Sequence, residues 1–250
     1  MGRMMDMVIG GSRAIYDLWI DTPPVLDTET YFPGAKMLET DWMDIREEAA
    51  VFLGCLDRVP KLHDIVDRQE DLSDHDKIAW KYVSLRAFGQ DHAANQALCP
   101  KTARLIRALP EVVNAGFSIL DPKKHVLAHR GPYGGLLRYH LGLIVPLDDR
   151  GQGLGVLRVG DTDNRVKEGQ GLLFDDLCEH EAWNHGDTPR VVLIVDIPRP
   201  GLPMALRALD RLLMAIIAQS PKLREFLDKS EIEVNKEDRP IAESGSVQRV

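Results

Sequence analysis

The chain has 250 residues, 44% of them apolar and 28% charged, with 20 Gly and 15 Pro. This composition belongs to a globular protein with a sizeable core and excludes a disordered or fibrous chain. A formal net charge of −8 argues against a general nucleic-acid binder, whose affinity rests on Lys and Arg neutralising phosphates, but leaves room for a local basic pocket.

Residues 1–35 are rich in turns (Gly10-Gly11, Pro23-Pro24, Pro33-Gly34) and predict a surface wrap after one short helix. Ser12, Arg13 and Asp17 interrupt the first apolar stretch, so no signal peptide is expected. No apolar run reaches the roughly 18 residues of a transmembrane helix. Over 36–58 the spacing of Met37, Leu38, Trp42, Ile45, Ala49, Phe52 and Leu53 predicts a helix. Ser73-x-x-Asp76 resembles a capping box with Asp in place of Glu. Pro100 opens a predicted helix over 101–109. From 115 the pattern changes to short apolar runs at 117–120, 124–129, 136–147, 154–160, 171–176 and 189–197. Turns such as GPYGG, DDRGQG and DTDN divide them, which predicts an antiparallel sandwich or barrel. A helix over 204–218 follows Pro203, with Arg207, Asp210 and Arg211 on one face. Its Met and Leu positions read as core packing, with peripheral membrane contact or dimerisation as the alternative. The expected organisation is a single domain over 1–250: a helical wrap over 1–110, a β core over 115–200, one C-terminal helix over 203–229 and a polar, frayed tail over 230–250. Cys55, Cys99 and Cys178 form no CxxC and no disulfide framework, which fits a reducing, cytoplasmic setting.

Five of the eight histidines, His125, His129, His140, His180 and His185, fall in or beside the β region. Iron(II) oxygenases commonly use two histidines and a carboxylate on one octahedral face, the first half reading His-x-Asp/Glu. Here His129-Arg130-Gly131 has glycine where the acid would stand. By spacing alone, a histidine near a strand end reads more readily as a hydrogen-bonded structural residue, and the acids around His180 (Asp175, Asp176, Glu179, Glu181) as a solvated turn. Arg190 opens the apolar run VVLIVDI, where a charge is costly unless paired. Arg138 and His140 alternate along LLRYHLGL and so share one strand face.

Four strings in one order carry a resemblance: CPKTARLIRALP (99–110), FSILDPKKHVLAHRGPYGGLLRYHLGLIVP (117–146), EGQGLLFDDLCEHEAWN (168–184) and PRVVLIVDIPRP (189–200). They resemble the aspartyl/asparaginyl β-hydroxylase family, which includes bacterial lipid A 2-hydroxylases. The resemblance implies a mainly β fold with flanking helices, a double-stranded β-helix (jelly-roll, cupin-like). It implies iron(II) held by His129 and His180 alone, with Asp176 of the FDD string holding a water at the third position, a role the sequence does not separate from that of its neighbour Asp175. It also implies 2-oxoglutarate as cosubstrate: Arg190 and Ser118 take its distal carboxylate, Arg138 and His140 lie near its chelating end, and Trp80 forms the pocket wall. The implied reaction uses O2 to hydroxylate an unactivated C–H bond, by β-hydroxylation of an aspartyl or amino-acid-type substrate or 2-hydroxylation of a lipid acyl chain. The expected partner is a small-molecule, peptide or lipid-linked substrate, with no nucleic acid. A cupin-like metal-binding or sensing protein without turnover is the alternative.

Overall fold

The computed structural model describes Tyr16, residues 22–66 and residues 70–234. Most of the anticipated N-terminal wrap before Thr22, and the tail beyond Val234, lie outside the described residues.

Two antiparallel sheets face one another. The larger is ordered β1 (Val25–Leu26), β9 (Gly171–Phe174), β6 (Leu136–Ile144), β11 (Arg190–Pro198), β4 (Asn114–Leu120), β2 (Trp80–Ala87) and β3 (Gln90–Asp91). The smaller is ordered β5 (His125–His129), β10 (His180–Asn184), β7 (Gly155–Val159) and β8 (Thr162–Arg165). The interleaved strand order, with β6, β9 and β11 in one sheet and β5, β7 and β10 in the other, makes this a double-stranded β-helix, as expected.

Strand alternation divides the large sheet into two chemically different faces. On one face Val83, Leu85, Phe117, Ile119, Leu137, Tyr139, Leu141, Val191, Leu193 and Val195 join one hydrophobic core. On the other, Trp80, Ser118, Arg138, His140, Arg190 and Ile194 line a cavity shared with the small sheet. Both faces of β11 are therefore buried, and a run such as RVVLIVDI can be apolar on one side and carry Arg190 and Asp196 on the other.

The helices are α1 (Thr28–Tyr31), α2 (Ala35–Thr40), α3 (Trp42–Ala50), α4 (Leu62–Ile65), α5 (Glu70–Ser73), α6 (Ala93–Leu98) and α7 (Pro100–Ala108); α5 lies against β5 of the small sheet, while α1, α2, α3, α6 and α7 cover the apolar face. Phe32, Leu38, Ile45 and Phe52 from this layer pack into the same core. Phe32 meets Tyr139 edge-on at 5.4 Å, and Phe52 lies 5.9 Å from Phe117. α7 starts at Pro100, as its sequence predicts.

Several expectations are corrected. The helix over 36–58 is broken into α2, α3 and a 3-10 turn at Val51–Cys55, because Asp41 leaves helical geometry (φ −99°, ψ 19°). Ser73 does not cap a helix start. It ends α5, and its hydroxyl pairs with His63 Nδ1. Asp76 instead accepts from the backbone N–H of Ile78 and His125 and from Lys124 Nζ at 2.5 Å, fixing the entry into β5. The strands β1, β2, β3, β8 and β10 were not anticipated, and the acidic run at 175–181 is a solvated turn at Glu179 alone: Asp175, Asp176 and Glu181 are buried. Glu181 pairs with His125 Nε2 at 2.5 Å and with Arg158 on the outer face of the small sheet.

The C-terminal segment is two helices, α8 (Met204–Ala218) and α9 (Pro221–Lys229). Ser220 caps the second through Leu223 N–H. The core packing expected of the Met and Leu positions of α8 holds for Leu213, which is buried, and Leu206, which packs on a small buried cluster, while Met204, Leu212 and Ile216 are 78, 58 and 45% exposed.

Phe117 is fully buried where the large sheet meets the helix layer. Phe117→Ala is expected to lower stability by about 3–5 kcal/mol through lost burial and the cavity left behind, measured as a shift of the urea midpoint at unchanged slope.

Candidate functional site

His129 ends β5 and His180 opens β10, and the two are direct cross-strand partners. Their rings lie 4.2 Å apart, centroid to centroid, tilted by 55°. Each makes the same local bond: His129 Nδ1 donates to Leu127 O at 2.8 Å, and His180 Nδ1 to Cys178 O at 2.9 Å. A carbonyl oxygen can only accept, so each Nδ1 carries the ring proton and each Nε2 keeps its lone pair. Burial, followed for His180 by the neighbouring His129, disfavours the imidazolium; His180 is pushed down to about 3 and His129 is also lowered. Two neutral, oriented imidazoles side by side are suited to a divalent transition metal. No group of three or more His, Cys, Asp or Glu side chains arranged to hold a metal occurs among the described residues.

Beside the pair stands Asp176, whose Oδ1 is 3.5 Å from His180 Nε2. Gly131 N–H donates to the Asp176 carbonyl at 2.6 Å, and a Cβ on residue 131 would overlap the Asp176 carboxylate. The glycine in His129-Arg130-Gly131 is thus a steric requirement: a carboxylate from the second string occupies the space a side chain at 131 would need. Asp175 turns away, held by Arg199 Nη2 at 2.5 Å, Thr22 Oγ1 at 2.8 Å and Leu177 N–H at 2.9 Å.

Arg138 joins two carboxylates. Its Nε and Nη2 donate to the two oxygens of Asp196 at 2.8 and 3.1 Å, and Nη1 lies 2.7 Å from Asp176 Oδ1. Asn114 Nδ2 donates to Asp196 at 2.9 Å and holds it from behind. Burial raises the Asp176 carboxyl, opposed by Arg138 and reinforced by Asp196 and Asp175. The register Asp196↔Arg138 across β11 and β6 creates this bridge.

Deeper in the cavity, Arg190 is 1% exposed, and its Nε and Nη2 have no partner. Burial alone pushes its guanidinium down to about 10. His140 likewise has both ring nitrogens buried without a hydrogen bond, and burial and Arg190 hold it well below its usual range. Ser118 Oγ accepts from Trp80 Nε1 at 3.0 Å, which leaves its own proton to donate. Leu120, Val126, Leu157, Ala182 and Ile194 complete the lining of the chamber. Unpaired donors in apolar surroundings are costly unless a ligand meets them. Their charge and fork geometry match a carboxylate.

All the residues singled out from sequence, His129, His180, Asp176, Ser118, Arg138, His140, Arg190 and Trp80, converge here. Asp196 and Asn114 were missed. The signal for Asp196 was its place on the same β11 face as Arg190, at even spacing. The carbonyls of Leu127 and Cys178 are backbone groups, which no residue type reveals.

With this geometry in hand, the comparisons with known proteins are specific. The family model described as Aspartyl/Asparaginyl beta-hydroxylase matches residues 39–200. An ornithine lipid ester-linked acyl 2-hydroxylase of Rhizobium tropici is 40% identical over 212 residues, covering 84% of this chain and 72% of that protein. The aspartyl/asparaginyl beta-hydroxylase of Homo sapiens is 32% identical over 180 residues, 70% of this chain but only 22% of that longer protein. Among solved structures, a cupin domain of Bordetella pertussis matches 35% of this chain and 82% of its own length, at 16% identity and a TM-score of 0.27. On the extent of the family match and of the Rhizobium tropici relative, this chain belongs to the aspartyl/asparaginyl β-hydroxylase family.

Proposed function

We propose that the chain is an iron(II)- and 2-oxoglutarate-dependent dioxygenase that hydroxylates an unactivated C–H bond of a lipid acyl chain. The observation that carries the reading is the pair of buried, partnerless bases, Arg190 and His140, in the same chamber as two imidazoles with free Nε2 lone pairs. A metal site alone would need only the imidazoles. A bare guanidinium deep behind them calls for an anion, and so speaks against a metal-binding or sensing protein without turnover. Together, iron(II) and 2-oxoglutarate would supply the activation of O2 that such a C–H bond requires.

The chain's own residues have separable tasks. His129 and His180 would hold the metal from adjacent strands, each fixed by its Nδ1–H bond to the backbone. Asp176 would accept a hydrogen bond from the water completing the metal's coordination. Arg190 and Ser118 would take the distal carboxylate, and His140 would lie towards the chelating end. Trp80, Leu120, Val126 and Leu157 give the chamber an apolar lining.

The acyl reading is supported by the Rhizobium tropici relative, of whose length this chain covers 72%. It is also supported by the commitment of Arg138 to Asp176 and Asp196, which leaves that guanidinium compensated rather than free for a substrate carboxylate. An aspartyl substrate, the other reading, would need that charge.

Supplied with iron(II), 2-oxoglutarate and an acylated lipid, the protein should release succinate and add one oxygen to the acyl chain, read by mass spectrometry under labelled O2. His129→Ala should abolish both products. Arg190→Ala should raise the KM for 2-oxoglutarate at least about 30-fold, since removing a charge-assisted pair costs about 2 kcal/mol or more. Absence of both bound iron and succinate would overturn the proposal.

Gly131→Ala should displace the Asp176 carboxylate and weaken Mn(II) binding by about 10–100-fold, as loss of a group supporting metal ligands does. In titration calorimetry, Asp176→Ala should add little to that loss in the Gly131→Ala background, because both changes remove one interaction.

A further inference from the structure

α8 is apolar nearly all round, yet one face of it is left uncovered. Met204, Ala208, Leu212 and Ile216 recur at the four-residue spacing that keeps side chains on one side of a helix, and all four are exposed. Arg207 and Arg211 flank this stripe and are also exposed. The helix's one acid, Asp210, is turned inward, where it accepts from the hydroxyls of Tyr16 and Tyr133. The outward face of α8 thus carries two positive charges and none negative, on a chain whose formal net charge is −8. Among the described residues no helix is long and apolar enough to cross a membrane.

The opposite side of α8 is joined to the site. Tyr133 lies in the loop between His129 and β6, and Leu177 lies in the turn between Asp176 and His180. Tyr133 and Leu206 pack against the cluster of Tyr16, Leu177 and Leu202. Both segments that flank the histidines therefore rest on this helix.

We propose that α8 is the surface by which this protein docks on an anionic lipid bilayer, its apolar stripe entering the interface while Arg207 and Arg211 meet the headgroups. A helix with an apolar face edged by arginines is suited to that position, and its binding depends on both buried area and lipid charge. A second copy of the chain fits the charges less well. A two-fold interface sets a patch against itself, so the arginine pair would meet its own equivalent with no exposed acid on either helix to offset it. The inference deepens the acyl-lipid reading and rests on it for its purpose, since docking would bring substrate to the loops beside His129 and His180.

The test is flotation of the full chain with vesicles of phosphatidylcholine alone or mixed with phosphatidylglycerol. The wild-type protein should float with the mixed vesicles and not with neutral ones. Leu212→Glu/Ile216→Glu and Arg207→Glu/Arg211→Glu should each reduce the bound fraction at least about tenfold. All four substituted residues are exposed, so thermal unfolding and stabilisation by 2-oxoglutarate with Mn(II) should stay unchanged in both variants. Equal flotation of wild type and variants, or none by the wild type, overturns the docking surface. Dimerisation in analytical ultracentrifugation that Leu212→Glu/Ile216→Glu abolishes while flotation persists also overturns it, in favour of a second copy. If docking fails while stabilisation by 2-oxoglutarate holds, only this inference falls; loss of that stabilisation in the wild type instead removes the proposed function.

Discussion

Burying a guanidinium without a partner is among the more expensive things a fold can do, and Arg190 does it at the centre of the large sheet. The surrounding structure must over-determine its position. β11 is paired on both sides, with β4 and β6, over nearly its whole length. Its other face is locked into the helix-covered core through Val191, Leu193 and Val195. The main apolar core therefore lies outside the β-helix, under the helices, and the space between the sheets holds the charged groups among apolar residues such as Leu120, Leu157 and Ile194. This division by strand alternation allows one domain to have both a stable core and a polar chamber.

Within the chamber the charges are handled in two ways. Near the histidines one arginine, Arg138, is shared between two carboxylates, Asp176 and Asp196, so the anions exceed the cation. At the far end, Arg190 and His140 have no such partners. The first region therefore favours a cation and the second an anion. A dianion with one end suited to a metal and the other to a guanidinium would span these two environments.

The β-helix was legible where strands carry long apolar runs, as in β4, β6 and β11, and the helix at Pro100 was legible from its first-turn proline. β2 was not, because Trp80, Tyr82 and Ser84 point inward while Lys81, Val83 and Leu85 point the other way, so neither face reads as plainly polar or apolar. β10 is short and carries His180 and Glu181, which look like surface residues until cross-strand partners are known. Asp41 broke a helix whose apolar spacing ran straight through it. The site residues were legible mainly through the family resemblance. Spacing alone gave two histidines and an apparent gap at residue 131, and pairings such as Arg138 with Asp196 depend on register, which periodicity does not encode.

The close approach of Gly131 to Asp176 also bears on how this centre can change over time. Residue 131 and the Asp176 carboxylate compete for one volume. A chain that gained an acid at 131 while keeping Asp176 would have two anions in space for one, beside a single shared arginine. A chain that first lost Asp176 would leave Arg138 paired with Asp196 alone, one cation against one anion. An acid at residue 131 is therefore open only to a chain that has already lost the Asp176 carboxylate, so the order of the two substitutions is fixed by volume.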